Sequence, residues 1–211
     1  MSPNPNQVPA PHGKTSSQKF AEADAEHADR IGSMSHYQRM LAGLPYLAND
    51  PSLVRARLKA RRVFLKLNQS GPNTADPEDL PEGVKPQGIG GSADSALASP
   101  VDVMGEERRA LVGELLGLDR SAVERVEIEP PFYCDYGTNI KLEGAFYCNW
   151  NTTILDAAEV RIGDGTLFGP NVHLYSATHS VATAERAQGF ERALPIRIGK
   201  DCWIGGNTTI M

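Results

Sequence analysis

The last third of this chain beats in sixes: an apolar residue followed by glycine or another small residue recurs at a fixed interval. It reads Ile162-Gly163-Asp164-Gly165-Thr166-Leu167, then Phe168-Gly169-Pro170-Asn171-Val172-His173, and returns as Ile198-Gly199-Lys200-Asp201-Cys202-Trp203 and Ile204-Gly205-Gly206-Asn207-Thr208-Thr209. A period this short suits neither an amphipathic helix nor a hairpin sheet and marks a parallel β-helix. In the same frame the apolar guide positions run back through Ile154, Cys148 and Leu142. The positions four residues on, Thr152, Ala158, Thr166, Val172, Cys202 and Thr208, are small or β-branched. One side chain per hexad is expected to enter a narrow interior, with a second, compact one beside a corner. Three hexads predict a coil of roughly eighteen residues, and coils stacked about 4.8 Å apart satisfy one another's backbone hydrogen bonds.

At 211 residues with 40% apolar content, the chain has room for one ordinary domain with appendages. Its formal charge of −5 argues against affinity for nucleic acid or an anionic membrane. The basic cluster Arg55, Arg57, Lys59, Arg61 and Arg62 reads as the solvated face of a helix whose packed stripe is Val54, Leu58 and Leu65. No apolar run approaches the roughly twenty residues that span a bilayer, and the first fourteen residues contain no apolar signal core. A cytoplasmic location is expected. Cys134, Cys148 and Cys202 are odd in number and lack CxxC spacing, so a disulfide scaffold or zinc knuckle is not expected. Cys148 and Cys202 fall where the hexad frame wants a small apolar residue.

Residues 1–34 mix Pro, Asn, Ser, Ala and charges with few large apolar side chains, which predicts a flexible tail. Residues 35–70 change character: Met40, Leu41, Leu44, Tyr46 and Leu47 precede the start signal Asn49-Asp50-Pro51, and 53–67 reads as an amphipathic helix, giving a helical hairpin. The Pro- and Gly-rich stretch 71–103 predicts a flexible insertion, and its Gly88-Ile89-Gly90-Gly91 follows no strand, so it is not read as a phosphate loop. In 104–129 a helix over 106–118, with Leu111, Leu115 and Leu118 at helical spacing, leads to a strand over 126–129. Residues 130–211 form the β-helix. It is broken once, at 175–195, by an excursion carrying Thr178-His179-Ser180 and the charges Glu185, Arg186, Glu191 and Arg192. Loops thrown out from a rigid repetitive scaffold are where chemistry is usually placed.

Several blocks now carry a resemblance. Met40-Leu41-Ala42-Gly43, Asp50-Pro51-Ser52-Leu53, Pro131-Phe132-Tyr133-Cys134-Asp135-Tyr136-Gly137, Phe146-Tyr147-Cys148-Asn149-Trp150-Asn151, Ile154-Leu155-Asp156, Thr178-His179 and Trp203-Ile204-Gly205-Gly206 stand together in order. In these motifs the chain resembles the maltose, galactoside and nodulation-type sugar O-acetyltransferases of the hexapeptide-repeat family, from Ser35 onward. The resemblance implies a left-handed parallel β-helix behind a small helical N-terminal domain. It also implies a homotrimer with sites between neighbouring prisms, and direct acetyl transfer from acetyl-CoA, as co-substrate, to a sugar hydroxyl.

A sugar hydroxyl is too weak an acid to attack a thioester unaided at neutral pH, so a base must take its proton, and imidazole is the side chain best placed to do so. His179 matches the family's catalytic histidine. The resemblance places Asp135, Asn149 and Glu191 at the acceptor, and Trp203, Gly205 and Gly206 around the CoA arm, with the Gly206 N–H at the oxyanion. One acceptor-contacting carboxylate of some relatives maps to Ala157, which leaves the acceptor's identity open. The family continues past the equivalent of Met211, so the β-helix is expected to be C-terminally incomplete, with activity impaired or the chain a fragment. Other readings are an antibiotic acetyltransferase, a non-catalytic trimeric scaffold, and a zinc hydratase like γ-type carbonic anhydrase. The last is disfavoured because only His173 and His179 lie in the repeats, where zinc would need three imidazoles. No metal is expected.

Overall fold

A computed structural model describes residues 14–71 and 104–211, so the Gly88-Ile89-Gly90-Gly91 segment and nearly all of the 71–103 stretch lie outside the described residues. The repeat region forms three parallel sheets that face one another as a prism. The first holds β2 (Val126–Ile128), β5 (Phe146–Cys148), β8 (Thr166–Phe168) and β13 (Trp203–Ile204). The second holds β3 (Phe132–Cys134), β6 (Thr152–Leu155), β9 (His173–Tyr175) and β14 (Thr209–Ile210). The third holds β4 (Ile140–Leu142), β7 (Val160–Ile162) and β12 (Ile196–Ile198).

Each strand sits beside the one a full coil later: Val126 pairs with Phe146 and Phe146 with Thr166, so a coil takes 20 residues rather than eighteen. The surplus lies at one corner. Three residues join β2 to β3 and three join β4 to β5, whereas five, 135–139, join β3 to β4. This second corner, between the second and third sheets, is therefore the roomy one. The excursion leaves from the same corner: Val160 pairs back to Ile140 at 20 residues but forward to Ile196 at 36, an insertion of 16.

In the three-residue strands the first and third side chains share a face, so two residues per hexad point inward instead of one inward and one beside a corner. Phe146, Cys148, Thr152, Ile154, Val160, Ile162, Thr166 and Phe168 are all buried. Phe146 and Phe168 meet edge to face at 5.1 Å and fill the bore. Glycine is needed where coils touch. A Cβ on Gly163 would lie 2.5 Å from the Gly199 carbonyl carbon in the next coil, so any side chain there would push the two turns apart.

The helical part precedes the prism. α1 (Ser16–Glu26) occupies part of the 1–34 stretch expected to be a flexible tail, of which residues 1–13 lie outside the described residues, and a capping box between Thr15 and Gln18 starts it. It buries no side chain fully, which is why composition alone missed it. α2 (His36–Leu41), β1 (Tyr46–Leu47) and α3 (Pro51–Gln69) follow, with Asp50 accepting from the Ser52 N–H at the start of α3. The packed face of α3 is Leu53, Ala60, Val63, Phe64 and Leu67, whereas Leu58 and Leu65 of the expected stripe are 45% and 53% exposed. The partners decided this: Phe64 packs edge to face on Tyr133 of β3 at 5.7 Å, and the next helix of the chain lies alongside. α4 (Glu106–Leu116) ends two residues earlier than expected because Gly117 takes the left-handed conformation at φ 68°. α5 (Arg120–Val123) then leads into β2.

Candidate active site

The excursion is a small folded unit. β10 (Ala177–Thr178) and β11 (Phe190–Ala193) pair antiparallel around α6 (Thr183–Ala187), and β1 of the helical part adds to the other edge of β11. That pairing sets Tyr46 opposite Glu191, and His179 directly follows β10. The buried Tyr46 hydroxyl donates to Glu191 Oε2 at 3.0 Å. Glu191 Oε1 lies 4.0 Å from His179 Nε2, an electrostatic contact rather than a hydrogen bond. The imidazole is 60% exposed and the carboxylate 25%. Such a pair leaves the ring open to a ligand while a fixed negative charge stands ready to stabilise an imidazolium.

Asp135 belongs to the same corner. Burial pushes its carboxyl up, Arg57 and Arg61 pull it down, and the Glu191 charge pushes it up again. Arg57 of α3 ties the helical part to this corner by donating to the Tyr136 hydroxyl at 2.9 Å and the Ala48 carbonyl at 2.7 Å. Behind them, the fully buried Asp156 accepts the N–H groups of Asp135 (3.0 Å), Tyr136 (2.8 Å) and Asn139 (3.2 Å), which fixes the five-residue turn.

Burial outweighs those donors and raises the Asp156 carboxyl from 3.8 to about 6. A folded-state value above the unfolded one means the folded protein holds the proton more tightly. The resulting stability is complete below about pH 4 and is lost as pH rises through about 6. On the order of 1–3 kcal/mol is at stake. In urea unfolding at pH 4.5 and 7.5, Asp156→Asn is expected to lack this component of the pH dependence; an unchanged difference between the two pH values would contradict the assignment.

Beside His179 opens a pocket of about 690 Å³, lined by Thr178, His179, Val181, Phe190 and Glu191 of the excursion and by Phe20 of α1, among others. The remaining expected site residues lie elsewhere. Asn149 is on the first corner, between the first and second sheets, where its Nδ2 donates to the Tyr147 hydroxyl at 3.1 Å and its Oδ1 accepts the Trp150 N–H at 2.8 Å. The Tyr147 hydroxyl in turn donates to Glu129. Trp203 ends the first sheet and is 80% exposed, and Gly205 and Gly206 form the turn above Gly169 and Pro170.

Asp135, Glu191 and His179 thus share the second corner, whereas Asn149, Gly205 and Gly206 share the first, with Trp203 on the outer side of the first sheet. One prism does not bring the two groups together. Ala157, where some relatives were expected to carry a carboxylate, is buried at the second corner. Tyr46 and Arg57 escaped the sequence reading because strand pairing and a helix contact across 79 residues put them there. Among the described residues no three His, Cys, Asp or Glu side chains converge as a metal centre would require, and no helix is long and apolar enough to cross a membrane.

Comparison with known proteins agrees with this architecture. The model of the maltose acetyltransferase hexapeptide capping motif matches residues 39–118. A Schizosaccharomyces pombe protein, provisionally named as an acetyltransferase, is 32% identical over 83% of this chain and 73% of its own length. Nodulation protein L of Rhizobium meliloti is 49% identical over 40% of this chain and 46% of its own. Of solved structures, a maltose O-acetyltransferase from Clostridium difficile superposes with a TM-score of 0.63 at 28% identity, covering 84% of this chain and 77% of that one. A galactoside acetyltransferase in complex with coenzyme A gives 0.56 at 26% identity, covering 83% and 74%. The matched stretch spans about half the length of the Saccharomyces cerevisiae and Rhizobium meliloti relatives. The chain belongs to the maltose, galactoside and nodulation-type acetyltransferase family of hexapeptide-repeat proteins.

Proposed function

We propose that this protein transfers acetyl from acetyl-CoA to a hydroxyl of a sugar or similar small acceptor, winding left-handed and working as a homotrimer. The observation that carries the reading is the exposed His179 ring, backed by Glu191 and opening on a pocket, within a fold shared with acetyltransferases. In this reaction His179 takes the acceptor's hydroxyl proton as the oxygen attacks the thioester carbonyl. The tetrahedral oxyanion then collapses, the carbon–sulfur bond breaks, and the imidazolium gives its proton to the departing sulfur, releasing CoA as the free thiol and restoring neutral His179. Glu191 stabilises that imidazolium between the two steps, and Asp135 holds another acceptor hydroxyl.

The division of residues between two corners supports a shared site. In a threefold assembly the second corner of one prism meets the first corner of the next. Asn149, Trp203 and the Gly206 N–H would then face His179 from a neighbouring subunit. The test is thiol release from acetyl-CoA on addition of free hexoses and glycosides. Acceptor-dependent release is expected; none with any hydroxyl acceptor, while the oligomer persists, would leave a scaffold role instead.

Tyr46 acts through Glu191 as a positioning residue. Tyr46→Phe frees the carboxylate's second oxygen from its donor, so kcat should fall about three- to tenfold. The acidic limb of the pH–rate profile should move upward, because an unshared negative charge favours the protonated imidazole. A fall in kcat without any movement of that limb would mean that Tyr46 serves packing alone.

A further inference from the structure

We infer that α1 is the outer wall of the acceptor pocket, with Phe20 a specificity-determining side chain that favours acceptors carrying an apolar group beyond the reacting hydroxyl; this rests on the acetyl-transfer reading above. α1 lies ahead of the residues matched by the family's capping motif, which begin at 39. It is nevertheless built into the site. Ser17 and Phe20 line the same pocket as His179 and Glu191.

A clasp from the excursion holds the helix there. Arg192, next to Glu191 on β11, donates to both carboxylate oxygens of Asp24 at 2.9 and 2.8 Å and to the Gly43 carbonyl at 3.1 Å. Its guanidinium also stands over the Phe20 ring, 5.0 Å from the centroid. Because α1 buries no side chain fully, this clasp contributes strongly to where Phe20 sits.

The chemistry of the lining selects the ligand. The charged side chains around the pocket are already engaged: Arg192 with Asp24, Glu191 with Tyr46, and Arg39 with the carbonyls of Met34 (3.2 Å) and Ile31 (2.7 Å). Each arginine of the lining is thus held in place by protein oxygens rather than reaching freely into the space. Apolar surface does remain: Val181 is 97% exposed, and Phe20, Ile31 and Phe190 join it in the lining. At about 690 Å³ the space falls well inside the roughly 300–1,000 Å³ typical of small-molecule sites and exceeds the needs of one hexose ring. An alkyl or aryl glycoside fits both the size and the lining, with its sugar hydroxyl at His179 and its aglycone against Phe20 and Val181.

The test is the ratio of kcat/KM for phenyl glucoside over free glucose. Phe20→Ala is expected to lower this ratio about tenfold. Asp24→Asn, which removes a charge from the clasp without touching the pocket lining, should lower it about threefold. Ratios within twofold of the unaltered protein in both variants would overturn the inference. Calorimetric binding of phenyl glucoside separates this from the reaction itself. If no acceptor is acetylated, the proposed reaction falls, while weaker phenyl glucoside binding by Phe20→Ala still upholds α1 as the wall. Equal binding by the two proteins would remove that role.

Discussion

Replacing His179 with alanine is expected to reduce acetyl transfer by about 10²–10⁴-fold, the usual contribution of a positioned general base. The fold should not register the change, because the ring is 60% exposed and meets the Glu191 carboxylate only at 4.0 Å. Circular dichroism and oligomeric state should therefore match the unaltered protein. The loss should fall on kcat, since acetyl-CoA would bind chiefly at the first corner. Turnover within threefold of normal would remove His179 as the base. Loss of the oligomer would instead make the residue structural.

The second large effect concerns stability. Phe168 is 1% exposed and meets Phe146 of the preceding coil edge to face, while Ile204 of the following coil pairs beside it. Phe168→Ala would open a void in a bore too narrow to collapse around it. A cost of about 3–5 kcal/mol is expected, a large share of the 5–15 kcal/mol that holds an average domain folded. Thermal melting of the variant checks this, and a midpoint shift of only a degree or two would contradict a stacked interior at this position.

The sequence exposed the prism because hexads repeat a local rule: an inward guide residue, then a small one at the turn. Cys148, Ile154, Ile162 and Phe168 are all buried on that rule. The coil length was misjudged although a sign was present, since Ile154 and Ile162 stand eight apart rather than six. Those two surplus residues make the corner that Asp156 fixes and from which the excursion leaves. The packed face of α3 could not be read from its own spacing, because Leu58 and Phe64 are both apolar and only the position of Tyr133 selects between them. α1 was hidden for a related reason. Its anchor, Arg192, lies 168 residues from Asp24 in the chain, and nothing near α1 announces it. Motif reading supplied His179, Glu191 and Asp135 but not their arrangement. The pairing of β1 with β11, which sets Tyr46 against Glu191, is a contact between distant segments.

The central claim, an acetyl-transfer site assembled from the second corner of one subunit and the first corner of its neighbour, is tested most directly by mixing two crippled proteins. His179→Ala damages one corner and Asn149→Ala the other, so each homogeneous oligomer carries a defect in every site. Unfolded and refolded together, the two should form mixed oligomers in which some sites pair an intact His179 with an intact Asn149. The account predicts that thiol release from acetyl-CoA in the mixture exceeds the sum of the two separate variants. A mixture no more active than that sum, with exchange of subunits demonstrated, would contradict a shared site.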